Sequence, residues 1–112
     1  MTKTNSLTKD CLGVFAMNGF KAWSVYNGGV YDAKAKAYRK NANKLRGIPD
    51  INGYHLKTGK AMYCEIKGTK TDKLSPFQIA FLEDAERAGC YVFREVRSAV
   101  LLQQQLIELQ IN

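Results

Sequence analysis

The fold of this chain is decided by two short segments, GIPDI at 47–51 and CEIK at 64–67. Between them, KTGK at 57–60 is typical of a hairpin turn, with a glycine where φ can be positive. Such a turn lays the strand that follows Asp50 beside the strand that carries Glu65 and Lys67. Because Glu65 and Lys67 are two positions apart, their side chains point to the same face of that strand. The sequence therefore predicts that two carboxylates and one ammonium group converge at one point.

Two carboxylates beside a lysine suit chemistry on phosphate esters. Carboxylate oxygens hold Mg²⁺ or Mn²⁺, while water and substrate phosphate fill the remaining coordination positions. The cation lowers the pKa of a bound water, and a neighbouring lysine positions or deprotonates that water. The alternative is a surface hairpin that carries a Glu–Lys pair and a turn aspartate, because short motifs of this kind often arise by chance.

The surrounding sequence resembles a known family. Pro49-Asp50 followed by Glu65-Ile66-Lys67 is similar to the PD-(D/E)XK nuclease signature, and the wider order of motifs resembles its VRR-NUC branch. The motifs are GIPDI at 47–51, EIKG at 65–68, LSPFQ at 74–78, FL at 81–82 and AG at 88–89. The resemblance extends from about Leu7 to Val96. It implies an α/β protein with a restriction-endonuclease-like α/β/α sandwich and a mixed central β-sheet. The implied activity is metal-dependent, structure-specific hydrolysis of phosphodiester bonds in junction or flap DNA.

The resemblance also implies roles for individual residues. Asp50 and Glu65 are expected to bind Mg²⁺ or Mn²⁺, together with the main-chain carbonyl of Ile66. Lys67 is expected to position or activate the attacking water. Gln78 has two interpretations: it completes the N-cap of its own helix, or it points towards the lysine and phosphate as in the resembling family.

One possible metal ligand, on the first helix, is left unassigned. Related nucleases often place a carboxylate there, facing the metal. This chain offers Asp10, with Asn5 before it as a neutral oxygen ligand. The alternative for Asp10 is a solvated acid favoured by the helix dipole.

Size and composition narrow the class of protein. The 112 residues suit one domain over 1–112, and 17 Lys and Arg against 10 Asp and Glu give a formal charge of +7. That charge favours an anionic partner, nucleic acid first. No apolar run approaches the ~20 residues of a membrane span, and no secretory signal pattern opens the chain. Small VRR-NUC members are common in phage and bacterial genomes, so we expect the cytoplasm of a bacterial or phage-infected cell.

Most of the positive charge precedes the motif. The stretch from Val30 to Arg46 has no clear apolar period and is predicted to be a loop, with at most a short helical turn. Its basic residues are Lys34, Lys36, Arg39, Lys40, Lys44 and Arg46. Because this basic segment leads directly into GIPDI, it is expected to hold DNA backbone phosphates, with plain solvation as the alternative.

The remaining elements follow from periodicity and capping residues. They are a helix over Leu7–Asn18 capped by Asn5 or Ser6, a strand over Phe20–Asn27, a hairpin of Ile51–Leu56 and Ala61–Lys67, a helix from Pro76 to about Ala88, a strand over Cys90–Val96, and a helix from Ala99 to about Gln110. Trp23 is expected to pack on its strand, with base stacking as the alternative. His55 is expected to be exposed. The three cysteines lack metal-ligand spacing and are expected to be buried thiols.

The apolar last helix bears on the oligomeric state. The last helix carries five large aliphatic residues between Leu101 and Leu109, more than one small core covers, so a homodimer is expected with this helix as one candidate interface. A non-catalytic nucleic-acid-binding module with the same fold, or a nuclease that acts on RNA, are the competing functions.

Overall fold

The computed structural model describes residues 3–25, 30–32, 37–39 and 46–111. Within these ranges the chain forms three helices and six strands. In chain order they are α1 (Lys3–Met17), β1 (Phe20–Ser24), β2 (Val30–Asp32), β3 (Ala37–Arg39), β4 (Ile51–His55), β5 (Ala61–Ile66), α2 (Pro76–Arg87), β6 (Tyr91–Val96) and α3 (Ala99–Leu109). No helix in these ranges is long and apolar enough to cross a membrane.

Four strands form one mixed sheet in the order β1-β4-β5-β6. β4 pairs antiparallel with both β1 and β5, as a tight hairpin allows, whereas β5 and β6 are parallel. A parallel pair needs a crossover connection, which α2 supplies. The α/β class and the mixed sheet predicted from the sequence are confirmed.

One face of the sheet carries the apolar core. Met62, Cys64 and Ile66, which alternate along β5, point into it as predicted. α1 and α3 cover this face with their own apolar sides. The buried cluster consists of Cys11, Phe15, Phe20, Ile51, Met62, Cys64, Ile66, Phe93, Val96, Leu102 and Leu106.

α2 lies on the opposite face, which completes the three layers. Phe81 packs edge-to-face on Tyr63 of β5, with ring centroids 5.0 Å apart, and Leu82 is fully buried. Glu65 and Lys67 share this face with Tyr63, because they too lie at alternate positions. The β5 strand therefore separates an apolar layer from a layer that contains buried charge.

The start of α1 differs from the prediction. The helix begins at Lys3, so Asn5 and Ser6 lie inside it and do not cap it. Apolar periodicity could not locate this first turn, since its residues are polar. The end agrees with the prediction, because Gly19 follows the helix with a φ of +83° that glycine adopts without strain.

The basic segment also differs from the predicted loop. It contains two three-residue strands, β2 and β3, which pair antiparallel with Val30 opposite Arg39 and Tyr31 opposite Tyr38. Three residues are too few to show a period of two in sequence.

His55 is buried, so the expectation that it is exposed was wrong. Its side chain is 5% exposed and its ring packs edge-to-face on Phe20, with centroids 4.7 Å apart. Its Nδ1 accepts hydrogen bonds from the amides of Lys57 and Thr58, at 3.1 and 3.3 Å. The imidazole thus accepts hydrogen bonds from the turn that a backbone carbonyl would otherwise accept, a role that alternation alone does not reveal.

The burial of the cysteines agrees in part with the prediction. Cys11 and Cys64 are buried as predicted, whereas Cys90 is half-buried.

Candidate active site

The β4–β5 hairpin brings the two acids of the motif together. Its register pairs Ile51 with Cys64, so Asp50 and Glu65 lie side by side where β4 begins and β5 nears its end. The amide of Ile66 donates to Oδ2 of Asp50 at 2.9 Å, which fixes that carboxylate against β5. β6 carries one extra residue opposite Glu65, since Cys64 pairs with Phe93 but Ile66 pairs with Val96. Bulges of this kind re-aim side chains at the ends of strands.

Glu65 is buried without a full set of partners. Its side chain is 2% exposed, and Oε1 accepts a hydrogen bond from Nε2 of Gln78 at 3.0 Å. Oε2 is also buried and has no hydrogen-bond partner within the part of the chain that the structure describes. The pKa of Glu65 is raised from 4.5 to about 9, chiefly by burial and then by the adjoining Asp50 carboxyl, while Lys67 opposes this in part. A cation beside Oε2 would reverse both effects on the carboxylate.

Gln78 connects the lysine to the glutamate. Lys67 is 6% exposed, and its Nζ donates to Oε1 of Gln78 at 3.2 Å. The same oxygen accepts from the amide of Ser75 at 2.8 Å, while Oγ of Ser75 accepts from the amide of Gln78 at 3.2 Å. This is the capping box at the start of α2. Gln78 therefore caps its helix and contacts Lys67 as well, while its contact with a substrate phosphate stays a prediction.

Asp72 is a neighbour that the sequence did not single out. Its Oδ1 lies 3.5 Å from Nζ of Lys67. Arg97 holds the intervening loop, because its guanidinium donates to the carbonyls of Thr69 and Asp72, the latter at 2.7 Å. The contact depends on the path of this loop, and a lone aspartate five positions after a lysine gives no sequence signal of it.

The segment before Asp50 passes directly against α2. Gly47 has a φ of +80°, and a Cβ there would lie 2.3 Å from the carbonyl oxygen of Phe77, so only glycine fits. The Arg46 guanidinium stacks over the Phe77 ring, 5.0 Å from its centroid. This places one member of the basic segment at the start of α2. Arg39 ends β3, while Lys34, Lys36, Lys40 and Lys44 lie outside the described residues.

The two candidates on α1 lie in different clefts. Asn5 and Asp50 line one cleft of about 410 Å³, together with Thr8, Lys9, Leu12, Ser24 and Val25. Asp10 lines another, of about 440 Å³, formed with Arg97 and the start of α3. Of the two, Asn5 is therefore the residue on the Asp50 side.

The oxygen atoms gathered here suit a hard divalent cation. Asp50 and Glu65 meet at one place, where the amide of Ile66 also donates to Asp50. Mg²⁺ or Mn²⁺ requires only one or two carboxylates, with water and phosphate as the other ligands. The described residues contain no cluster of three or more His, Cys, Asp or Glu side chains that would form a complete protein cage. The buried Oε2 of Glu65 is the atom that most needs such a partner.

Comparison with known proteins establishes the fold. The chain is similar to a solved structure described as a VRR_NUC domain, with a TM-score of 0.65 and 23% sequence identity. The match covers 99% of this chain and 100% of that one. No family model matches the sequence, and no curated protein matches it. The predicted nuclease-like α/β/α sandwich is thereby confirmed as the fold of the whole chain.

Proposed function

We propose that this protein is a metal-dependent endonuclease of the VRR-NUC family that hydrolyses phosphodiester bonds in DNA. The observation that carries the proposal is the buried Oε2 of Glu65, which has no partner among the described residues and adjoins a second carboxylate. Burying a carboxyl group beside a second carboxyl costs free energy, so a fold that needed Glu65 only for stability would gain by losing it. The VRR_NUC likeness of the fold supports the same function.

Each residue of the site has a role in this proposal. Asp50, Glu65 and the Ile66 carbonyl hold Mg²⁺ or Mn²⁺. The bound cation would supply positive charge to the scissile phosphate and lower the pKa of water. The Lys67 ammonium orients the attacking water and offsets charge on the phosphoryl oxygens. Gln78 fixes Lys67 and Glu65 relative to each other through the two ends of one amide.

The substrate is held mainly through its phosphates. Arg46 supplies positive charge at the start of α2, next to Gln78, and the other basic residues of the segment are proposed to add phosphate contacts. A chain of 112 residues contacts little duplex by itself, so a homodimer that presents two sites to two strands fits a junction- or flap-cutting enzyme. On α3, Leu102 and Leu106 are buried, but Val100, Leu101, Ile107 and Leu109 are exposed and are the candidate dimer surface. Light scattering at micromolar concentration without DNA should give the dimer mass, and the monomer mass would contradict this part.

A cleavage panel tests the proposal. Linear duplex, nicked, flap and four-way-junction DNA, each with an RNA counterpart, are incubated with the protein in Mg²⁺ or in EDTA. Mg²⁺-dependent cutting of a branched DNA above the linear duplex is expected, and Glu65→Gln should remove it. Binding to all substrates with no cutting in Mg²⁺ or Mn²⁺ would instead identify a non-catalytic binding module, and preference for the RNA forms would identify a ribonuclease.

A further inference from the structure

The sheet face that carries Glu65 continues beyond the site onto β1 and β4. α2 covers this face over β5, where Phe81 packs on Tyr63. Farther along the same face, Trp23 of β1 and Tyr54 of β4 remain 47% and 39% exposed. Their strand neighbours Ala22 and His55 turn to the α1 side instead. Trp23 and Tyr54 thus form an open aromatic surface on the site's own side of the sheet.

The two rings support each other. They pack edge-to-face, with centroids 6.2 Å apart and planes at 68°. Edge-to-face packing fixes ring orientation, and Trp and Tyr lose little conformational entropy when a ligand covers them. Lys21 lies directly opposite Tyr54 in the β1–β4 register and is exposed, which places a cation beside the rings.

This aromatic surface lies close to the candidate site. Trp23 pairs with Asn52, two residues from Asp50, so strand geometry separates the Trp23 and Asp50 Cα atoms by about 8 Å. The amide of Val25 donates to the Asp50 carbonyl at 2.8 Å, which ties the end of β1 to the site.

We infer that Trp23 and Tyr54 stack with an unpaired base of the nucleic-acid substrate, one or two nucleotides from the scissile phosphate. Every base has a π-face that stacks on an aromatic side chain, but in a continuous duplex those faces are covered by neighbouring base pairs. The inference rests on the proposed function and names its substrate class: a strand with unpaired nucleotides beside the cut. The phosphates of that strand would lie along Lys21.

Intrinsic fluorescence tests this directly, because Trp23 is the one tryptophan of the sequence. The wild-type protein in EDTA is titrated with a single-stranded oligonucleotide and with an abasic strand of equal length and charge. Quenching by the first and little quenching by the second are expected. Equal quenching by both would overturn the inference. So would a tryptophan spectrum that shifts with protein concentration alone, since a second copy would then cover the surface.

Two substitutions at Trp23 distinguish stacking by an aromatic ring from contact by any large apolar side chain. Trp23→Phe keeps a π-face and should keep most of the affinity for the single strand, whereas Trp23→Leu should weaken it about tenfold, as measured by anisotropy of a labelled strand. Affinity for the abasic strand should be equal in both variants. Trp23→Leu that binds the single strand as tightly as Trp23→Phe would overturn the inference.

If the wild-type protein cuts DNA in Mg²⁺ and Trp23→Leu cuts and binds equally well, the stacking inference fails while the nuclease proposal stands. Base-dependent quenching without any cutting would leave the stacking intact and remove the nuclease.

Discussion

Met62 and Glu65 lie three residues apart on β5 and are almost equally inaccessible, yet their surroundings differ completely. Met62 is enclosed by apolar side chains of the core. Glu65 is enclosed by another carboxylate, one amide and a lysine that contacts that amide, with one oxygen unpaired within the described residues. Burial of Met62 stabilises the fold, whereas burial of Glu65 costs free energy that the proposed cation would recover. In this proposal the two sides of one strand separate stability from function.

The largest expected effect is that substitutions on one side of β5 abolish cleavage, whereas a substitution on the other side lowers stability. Glu65→Gln, and likewise Asp50→Asn, should lower kcat/KM for DNA cleavage by about 1000-fold or more, because each removes charge from the cation site. Met62→Ala should lower the free energy of unfolding by about 2–5 kcal/mol and leave kcat within a few-fold at a temperature where it stays folded. Urea denaturation and cleavage kinetics of the three variants measure this. Near wild-type cleavage by Glu65→Gln would remove that residue from the site.

The next effect concerns Lys67. Lys67→Ala should lower kcat by about 100-fold with little change in the Kd for DNA, because its proposed contact strengthens only in the transition state. Lys70→Ala, in the exposed loop that follows, is the matched control and should change kcat little. Single-turnover cleavage and equilibrium binding distinguish the two parameters. A weakened Kd with unchanged kcat would make Lys67 a phosphate-binding residue only.

A smaller effect is the pH dependence of stability without metal. Because the pKa of Glu65 is raised to about 9 in the fold, from 4.5, the folded protein keeps a proton that the unfolded chain releases. Its contribution to stability is therefore lost as pH rises from about 5 to 9, by at most about 1.4 kcal/mol per pH unit. In EDTA, Glu65→Gln should gain stability relative to wild type across this window. Glu108→Gln makes the same charge change at an exposed position of α3, and a matching gain there would contradict the assignment.

The smallest expected effect lies in the salt dependence of DNA binding. Lys34→Gln combined with Lys36→Gln should reduce the slope of log K against log salt by about two, if both lysines hold phosphates. The control pair, Lys57→Gln with Lys60→Gln, lies at the β4–β5 turn, away from Asp50, with Lys60 over the Tyr91 ring. Equal slopes for the two double variants would mean that the basic segment faces away from DNA.

The parts of the site that sequence could predict are those set by local rules. Alternation along β5 and a glycine turn suffice to place Asp50 beside Glu65, with Lys67 on the same face. The capping box of α2 is likewise a contiguous pattern, so Ser75 and Gln78 were predictable as caps. Whether Gln78 also reaches Lys67 depends on how α2 docks, which no short-range pattern encodes.

Contacts that depend on how distant parts of the chain pack together were not predicted from the sequence. Asp72 approaches Lys67 only because Arg97 holds the loop by its carbonyls. The choice between Asn5 and Asp10 depends on the rotation of α1 against the sheet, which the polarity of the two residues does not reveal. Trp23 was ambiguous because an aromatic residue on a strand packs equally well in a core or on an open face, and only the extent of α2 decides.

The most direct test of the central claim is an anomalous difference map from a crystal of the wild-type protein soaked in Mn²⁺. The account predicts a peak within coordination distance of both the Asp50 carboxylate and Oε2 of Glu65, and no such peak in Glu65→Gln. A saturated crystal with no peak between these two carboxylates, or with its Mn²⁺ in the cleft of Asp10 instead, would contradict it.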